Sequence, residues 1–162
     1  RGIEPDIELP TSLPGLVELA LYQDGALFDF ATSYESQHSS FDAPELPEEV
    51  YNSFIEFLTE RGFDYNTESE QILSRLESLL GATEQHSNAL ETLRVAIEAD
   101  KQARFDTQFE LISEILYLEL VSRFKGQTER TRASMVYDSQ FIEALELLGN
   151  NSQIDSILSG QN

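Results

Sequence analysis

Beyond Pro14 the apolar residues recur at intervals of three and four, the repeat of one face of an α-helix, almost to the end of the chain. Two short helical runs are predicted over 16–22 and 26–34, around Gln23-Asp24-Gly25. The stretch HSSFDAPELP, residues 38–47, is polar and proline-marked and reads as a loop. A helix follows from Glu48 to about Arg61, with Val50, Phe54, Phe57 and Leu58 on one face and Gly62 placed to cap it. Thr67-Glu68-Ser69-Glu70 has the form of a capping box, in which the threonine hydroxyl and the glutamate carboxylate each satisfy a free amide. Behind it Ile72, Leu73, Leu76, Leu79 and Leu80 predict an amphipathic helix that stops at Gly81.

Residues 84 to about 102 predict a longer, more polar helix whose narrow stripe of Leu90, Leu93 and Ile97 calls for a single helical partner. The next helix, about 105–125, is the most apolar. Phe105, Phe109, Ile112, Leu116 and Leu120 form one stripe, and Leu111, Ile115, Leu118 and Val121 widen it beyond one seam. It is predicted to form the centre of the core and to end at Gly126. Asp138 is placed to cap a helix running to about Leu148, with Phe141, Ile142, Leu145 and Leu148 expected to face inward. A short helix over 152–158 completes the chain, and Ser159 to Asn162 are expected to fray. The opening RGIEPDIELP stands apart. Two prolines and alternating Ile3, Ile7 and Leu9 describe extended backbone. The fold class read from this pattern is all-α, a multi-helix bundle with a short extended N-terminal segment.

Composition adds a size and a charge. The 162 residues, 40% hydrophobic, suffice to bury one sizeable core. No apolar run approaches the roughly 18 residues of a membrane span, since Ile115–Leu118 is interrupted at Glu119. Thirty acidic against ten basic residues give a net charge of −20. Such a surface repels phosphate backbones and anionic lipid, which removes nucleic acids and membrane surfaces as partners. Only Lys101 and Lys125 are lysines. Acid excess with few lysines is what a halophile-like surface adapted to high salt looks like, and it equally describes an ordinary acidic bacterial domain. The absence of cysteine excludes disulfides, thiolate metal sites and thiol chemistry.

Patterns that could carry chemistry are few. DYNTESEQILSR, residues 64–75, places Asp64, Asn66 and Glu68 at the first three ligand positions of a calcium loop. It has Ser69 where that loop needs glycine and Arg75 where it needs a bidentate glutamate. His38 and His86 are far apart and belong to no spaced pair, so zinc has no support. Ser122-Arg123-Phe124-Lys125 has the Ser-x-x-Lys spacing of penicillin-binding enzymes without their companion elements. Arg123 is expected to pair with Glu119 one turn earlier. No catalytic residue, cofactor-binding residue, metal ligand or cofactor is assigned.

The opening RGIEPDIEL resembles the G-[IV]-x-P-D-[IV] phrase that closes the catalytic core of carboxy-terminal processing peptidases, the tail-specific proteases. The remainder is similar to the helical C-terminal extension of the bacteroidete-type members. The matching segments are Phe28-Asp29-Phe30-Ala31-Thr32 with Tyr34, Phe54 to Leu58 leading into Phe63-Asp64-Tyr65, and Glu119 to Phe124 followed by Gly126. A closing run around Asp138, Ala144, Leu147 and Leu148 also fits. Phe124-Lys125 depart from the family, which often carries tyrosines there. The resemblance implies a parent serine peptidase (a hydrolase) that uses a Ser–Lys dyad, bears a PDZ module and is exported to the periplasm or cell envelope. Nucleophile and lysine lie upstream of the Gly-Ile-x-Pro-Asp phrase, so no residue here inherits a catalytic role.

On that reading residues 1–12 are the tail end of the peptidase core and 13–162 an all-helical C-terminal domain. This domain would support the protease core, assemble oligomers or dock an adaptor, with the upstream peptidase and PDZ domains as its partners. The alternative is an independent acidic helical protein-binding module without enzymatic activity. The surface charge has its own test: a salt-adapted chain loses thermal midpoint on dialysis from molar salt into dilute buffer, and indifference to salt leaves the ordinary acidic domain.

Overall fold

The computed structural model describes residues 7–9, 15–80 and 84–159. These form nine helices and no strand: α1 (Leu16–Asp24), α2 (Ala26–Gln37), α3 (Glu48–Arg61), α4 (Glu68–Leu80), α5 (Glu84–Thr107), α6 (Phe109–Lys125), α7 (Gln127–Ser134), α8 (Ser139–Gly149) and α9 (Asn151–Leu158). The fold is all-α, as the periodicity requires. Most of the extended segment expected at 1–12 lies outside the described residues, and residues 7–9 are irregular backbone. Gly81, the expected stop of α4, and all of the expected fraying end except Ser159 also lie outside them.

α6 is the centre. Ile112, Ile115, Leu116, Tyr117, Leu118, Leu120 and Val121 are all buried, which leaves little of its circumference facing water. Around it pack Val17 and Leu21 of α1, Leu27, Phe30 and Ala31 of α2, Val50, Tyr51, Phe54 and Leu58 of α3, and Phe41 from the loop between α2 and α3. Phe30 meets Phe54 edge-on at 5.1 Å and Phe57 at 5.5 Å, an aromatic join between α2 and α3. Two phenols tie the α2–α3 loop and the end of α5 to this core. Tyr117 donates to the Ala43 carbonyl (3.3 Å), and Tyr51 donates to the Phe105 carbonyl (2.9 Å). Burial, with the charge of Asp106 adding to it, pushes the Tyr51 phenol up to about 12.

α1 and α2 share one joint. Gly25 is at once the C-cap of the first and the N-cap of the second, at φ 77°. Only glycine adopts that left-handed backbone without cost, and it lets the chain reverse within a single residue. Gly62 closes α3 in the same region, at φ 69°. Pro47 precedes α3, and Glu48 and Glu49 in its first turn complement the helix dipole.

Three expectations need correction. The helix predicted over 105–125 is broken at Gln108 (φ −108°, ψ 19°), so Phe105 belongs to α5 and the apolar helix begins at Phe109. The break hides in the periodicity because the hydrogen bonds run through it: the Gln108 amide still reaches Arg104 O and its carbonyl still accepts from Ile112, both at 2.9 Å. On α8, Phe141, Ile142, Leu145 and Leu148 are exposed rather than inward, because α8 packs mainly against α9 and adds nothing to the core. On α4 only Leu73 is buried, and Ile72, Leu76, Leu79 and Leu80 lie open. α4 and α5 pair with each other as a hairpin beside the main core; of the stripe expected to meet a single helical partner, Leu90 is buried and Ile97 half-buried, while Leu93 stays exposed. α7, a polar helix without an apolar stripe, had no periodic signal in the sequence.

Phe54→Ala is expected to cost about 3–5 kcal/mol in urea denaturation. Gly25→Ala, with open space around the added methyl, costs about 1–2 kcal/mol from backbone strain alone. Leu148→Ala changes the same midpoint by no more than about 0.5 kcal/mol.

Candidate functional site

The residues that carried candidate chemistry are placed apart and already engaged. The Ser122 hydroxyl accepts a hydrogen bond from Gln127 Nε2 at 3.1 Å, while Lys125 Nζ lies 3.3 Å from Asp42. They face different partners and form no dyad. His38 stacks on Tyr34 at 3.9 Å with its Nδ1 against the Tyr34 carbonyl, and His86, in the first turn of α5, meets the carbonyl of Leu80 at the end of α4. Among the described residues no group of three or more His, Asp or Glu is placed to hold a metal.

Asp64 and Glu70 of the calcium-loop stretch serve a different cation. Thr67 and Glu70 form the capping box: the Thr67 amide and hydroxyl donate to Glu70 Oε2 at 2.7 and 2.9 Å, and the Glu70 amide donates back to Thr67 Oγ1 at 3.2 Å. The other Glu70 oxygen accepts from Lys101 Nζ at 2.8 Å, and Asp64 accepts from the same ammonium at 2.5 Å. Lys101 is only 3% exposed, and its ammonium lies 5.1 Å from the centre of the Tyr65 ring. Burial alone would push Lys101 down, but Asp64 and Glu70 reverse this and hold it above the ordinary lysine value. For Glu70, burial works upward, and the bonds from Lys101 and Thr67 overcome it and hold the carboxyl below the usual range. One lysine thus binds the entry of α4 to the last third of α5.

Sequence reasoning missed this cluster, although a signal was present: Lys101 continues the Leu90, Leu93, Ile97 stripe by one further step of four. The chain holds two other cations in the same way. Arg61 lies over Phe57 (5.9 Å) with Asp24 and Asp29 at 2.9 and 2.6 Å. Arg123 lies over Phe28 (5.5 Å) with Glu35 at 2.6 Å. The expected Glu119 partner of Arg123 is therefore replaced by Glu35, because a side chain at this face of α6 reaches α2 more directly than the turn behind it.

Apolar surface is also left open. α8 has no buried residue and exposes Leu145 by 53% and Leu148 by 67%. The hairpin exposes Ile72 and Leu79 in the same manner. No described helix is long and apolar enough to cross a membrane.

A family model described as "Probable PDZ-protease, C-terminal helical domain" matches residues 17–148, from the first turn of α1 to the last turn of α8. The chain belongs to that family. Comparison with curated proteins and with solved structures finds no match. The helical-domain assignment agrees with the resemblance seen in Phe28–Tyr34, Phe54–Tyr65 and Glu119–Gly126, and all three segments lie within the matched span.

In this PDZ-protease helical domain Glu70→Ala removes both a cap and a lysine partner and is expected to cost about 2–3 kcal/mol, against about 0.5 or less for Glu68→Ala. The sign with pH follows from the depressed carboxyl. The Glu70 contribution is complete above the ordinary glutamate value of 4.5 and is lost as pH falls through its lower folded value. Raised Lys101 adds a contribution lost only as pH climbs past the lysine range. Acid titration followed by circular dichroism should therefore show the wild type losing stability below about pH 4.5 more steeply than Glu70→Ala.

Proposed function

We propose that this is the non-catalytic support of a carboxy-terminal processing, or tail-specific, serine peptidase. In this reading it holds the upstream peptidase part of its own chain through the apolar face of α8. The observation that carries it is that face itself. Phe141, Ile142, Leu145 and Leu148 lie on one side of a helix that buries nothing in the domain, yet the helix falls inside the span matched by the family. Apolar side chains arranged at helical spacing and left in water imply a covering surface. In a C-terminal domain of a PDZ-protease the peptidase part is tethered beside it, at a high effective concentration. The chemistry belongs to that upstream part, with a Ser–Lys dyad as the resemblance implies, and the protein works in the periplasm or cell envelope.

Leu145→Glu with Leu148→Glu tests this in two settings. In the 162-residue chain helicity and denaturation midpoint stay as in wild type, and neither form hydrolyses a peptide with an apolar C-terminus. In the parent chain the same pair lowers turnover of that peptide about tenfold or more, because two charges now enter an apolar contact. Unchanged turnover, or hydrolysis by the domain alone, overturns the reading. Loss of a dimer of the domain in light scattering, with turnover intact, would assign the face to a second copy instead.

A further inference from the structure

We infer that the groove between α6, the α2–α3 loop and the segment joining α7 to α8 binds an arginine or lysine side chain of a partner polypeptide, presented between apolar neighbours. The groove is lined by Glu45 and Leu46 from the loop, Phe109, Glu110 and Glu114 from α6, and Tyr137 beyond α7. Its volume is about 520 Å³, within the roughly 300–1,000 Å³ of clefts that hold small ligands or side chains.

The argument is the chain's own chemistry. Arg61, Lys101 and Arg123 each lie over an aromatic ring and pair with one or more carboxylates. A ring face and a carboxylate attract a cation by different means, and together they also shelter it from water. The groove has the same parts: Phe109 and Tyr137, both partly exposed, with Glu45, Glu110 and Glu114. Among the described residues no ion pair reaches any of these three glutamates. The charges that act on Glu114 and Tyr137 are acidic. Burial, and then the charge of Glu18, push the Glu114 carboxyl up. Burial pushes the Tyr137 phenol up, with Tyr117, Glu114 and Glu45 adding to it. A cation entering here would relieve that repulsion, and Leu46 and Leu111 supply apolar surface for its neighbours. A second copy is a poorer occupant, since six of this chain's ten basic residues already pair with its own carboxylates. This inference is independent of the α8 face and of the peptidase reading, and its test uses neither.

The chain contains no tryptophan, so a Leu-Arg-Trp-Arg-Leu peptide with blocked ends reports its own binding by fluorescence anisotropy. The Arg peptide is expected to bind saturably, and the peptide with Gln for both Arg to bind at least about tenfold more weakly. Glu114→Gln should weaken the Arg peptide about tenfold, and Tyr137→Leu about threefold. Glu56→Gln, on α3 outside this groove, should leave it unchanged. Circular dichroism checks that each variant keeps its helicity, and if Tyr137→Leu does not, Glu114→Gln alone decides. An equal loss with Glu56→Gln means general attraction to an acidic surface and overturns the site. Equal binding of the Gln peptide, no saturable binding, or self-association of the chain that Glu114→Gln abolishes also overturns it, the last in favour of a second copy.

Discussion

A helix that is apolar around most of its circumference is stable in water only when other elements enclose it, and α6 sets that requirement for the whole domain. α1, α2 and α3 cover it, and the α2–α3 loop closes over it through Phe41 and the bond from Tyr117 to Ala43. The remaining helices are organised by its two ends. α5 arrives through the break at Gln108 and carries the α4–α5 hairpin with it, while α7 turns back against α6 past Gly126 and leads on to α8 and α9. The domain therefore has a dense centre and two appendages, whose apolar residues Leu79 and Leu148 stay in solvent.

Charge is deployed under the same constraint. With ten basic residues against thirty acids, a cation is a scarce resource, and several serve as ties between elements distant in sequence. Arg61 joins α3 to the α1–α2 joint, Arg123 joins α6 to α2, and Lys125 joins the end of α6 to the loop at Asp42. Pairs this exposed contribute about 0–1 kcal/mol each, so their main effect is on which elements meet. Lys101 differs because its ammonium is withdrawn from water, and removing a carboxylate there leaves a charge with nowhere to go.

The elements legible in the sequence were those specified by local chemistry. The Thr67–Glu70 box, the Asp138 cap, whose carboxylate accepts from Gln140 and Phe141, and the left-handed Gly62 each act within a few residues. The errors arose where a long-range partner decides. Periodicity shows that Phe141 and Leu145 share a face, but it says nothing of whether the chain provides a surface to cover that face. Arg123 had an acceptable partner one turn away and took a nearer one on another helix. The break at Gln108 left the backbone hydrogen bonds intact and so left no mark in the pattern. The groove at Glu114 combines residues from three separated segments, which no linear spacing could reveal.

The scarcity of lysine has a practical side. Of the two side-chain amines, one is enclosed between Tyr65, Asp64 and Glu70, and the other stands partly open beside Asp42. An amine-directed reagent added to the folded domain finds Lys125 and not Lys101. Acylation of Lys101 then marks molecules in which α5 has come away from the entry of α4, so the molecule carries its own chemical clock for the opening of the hairpin.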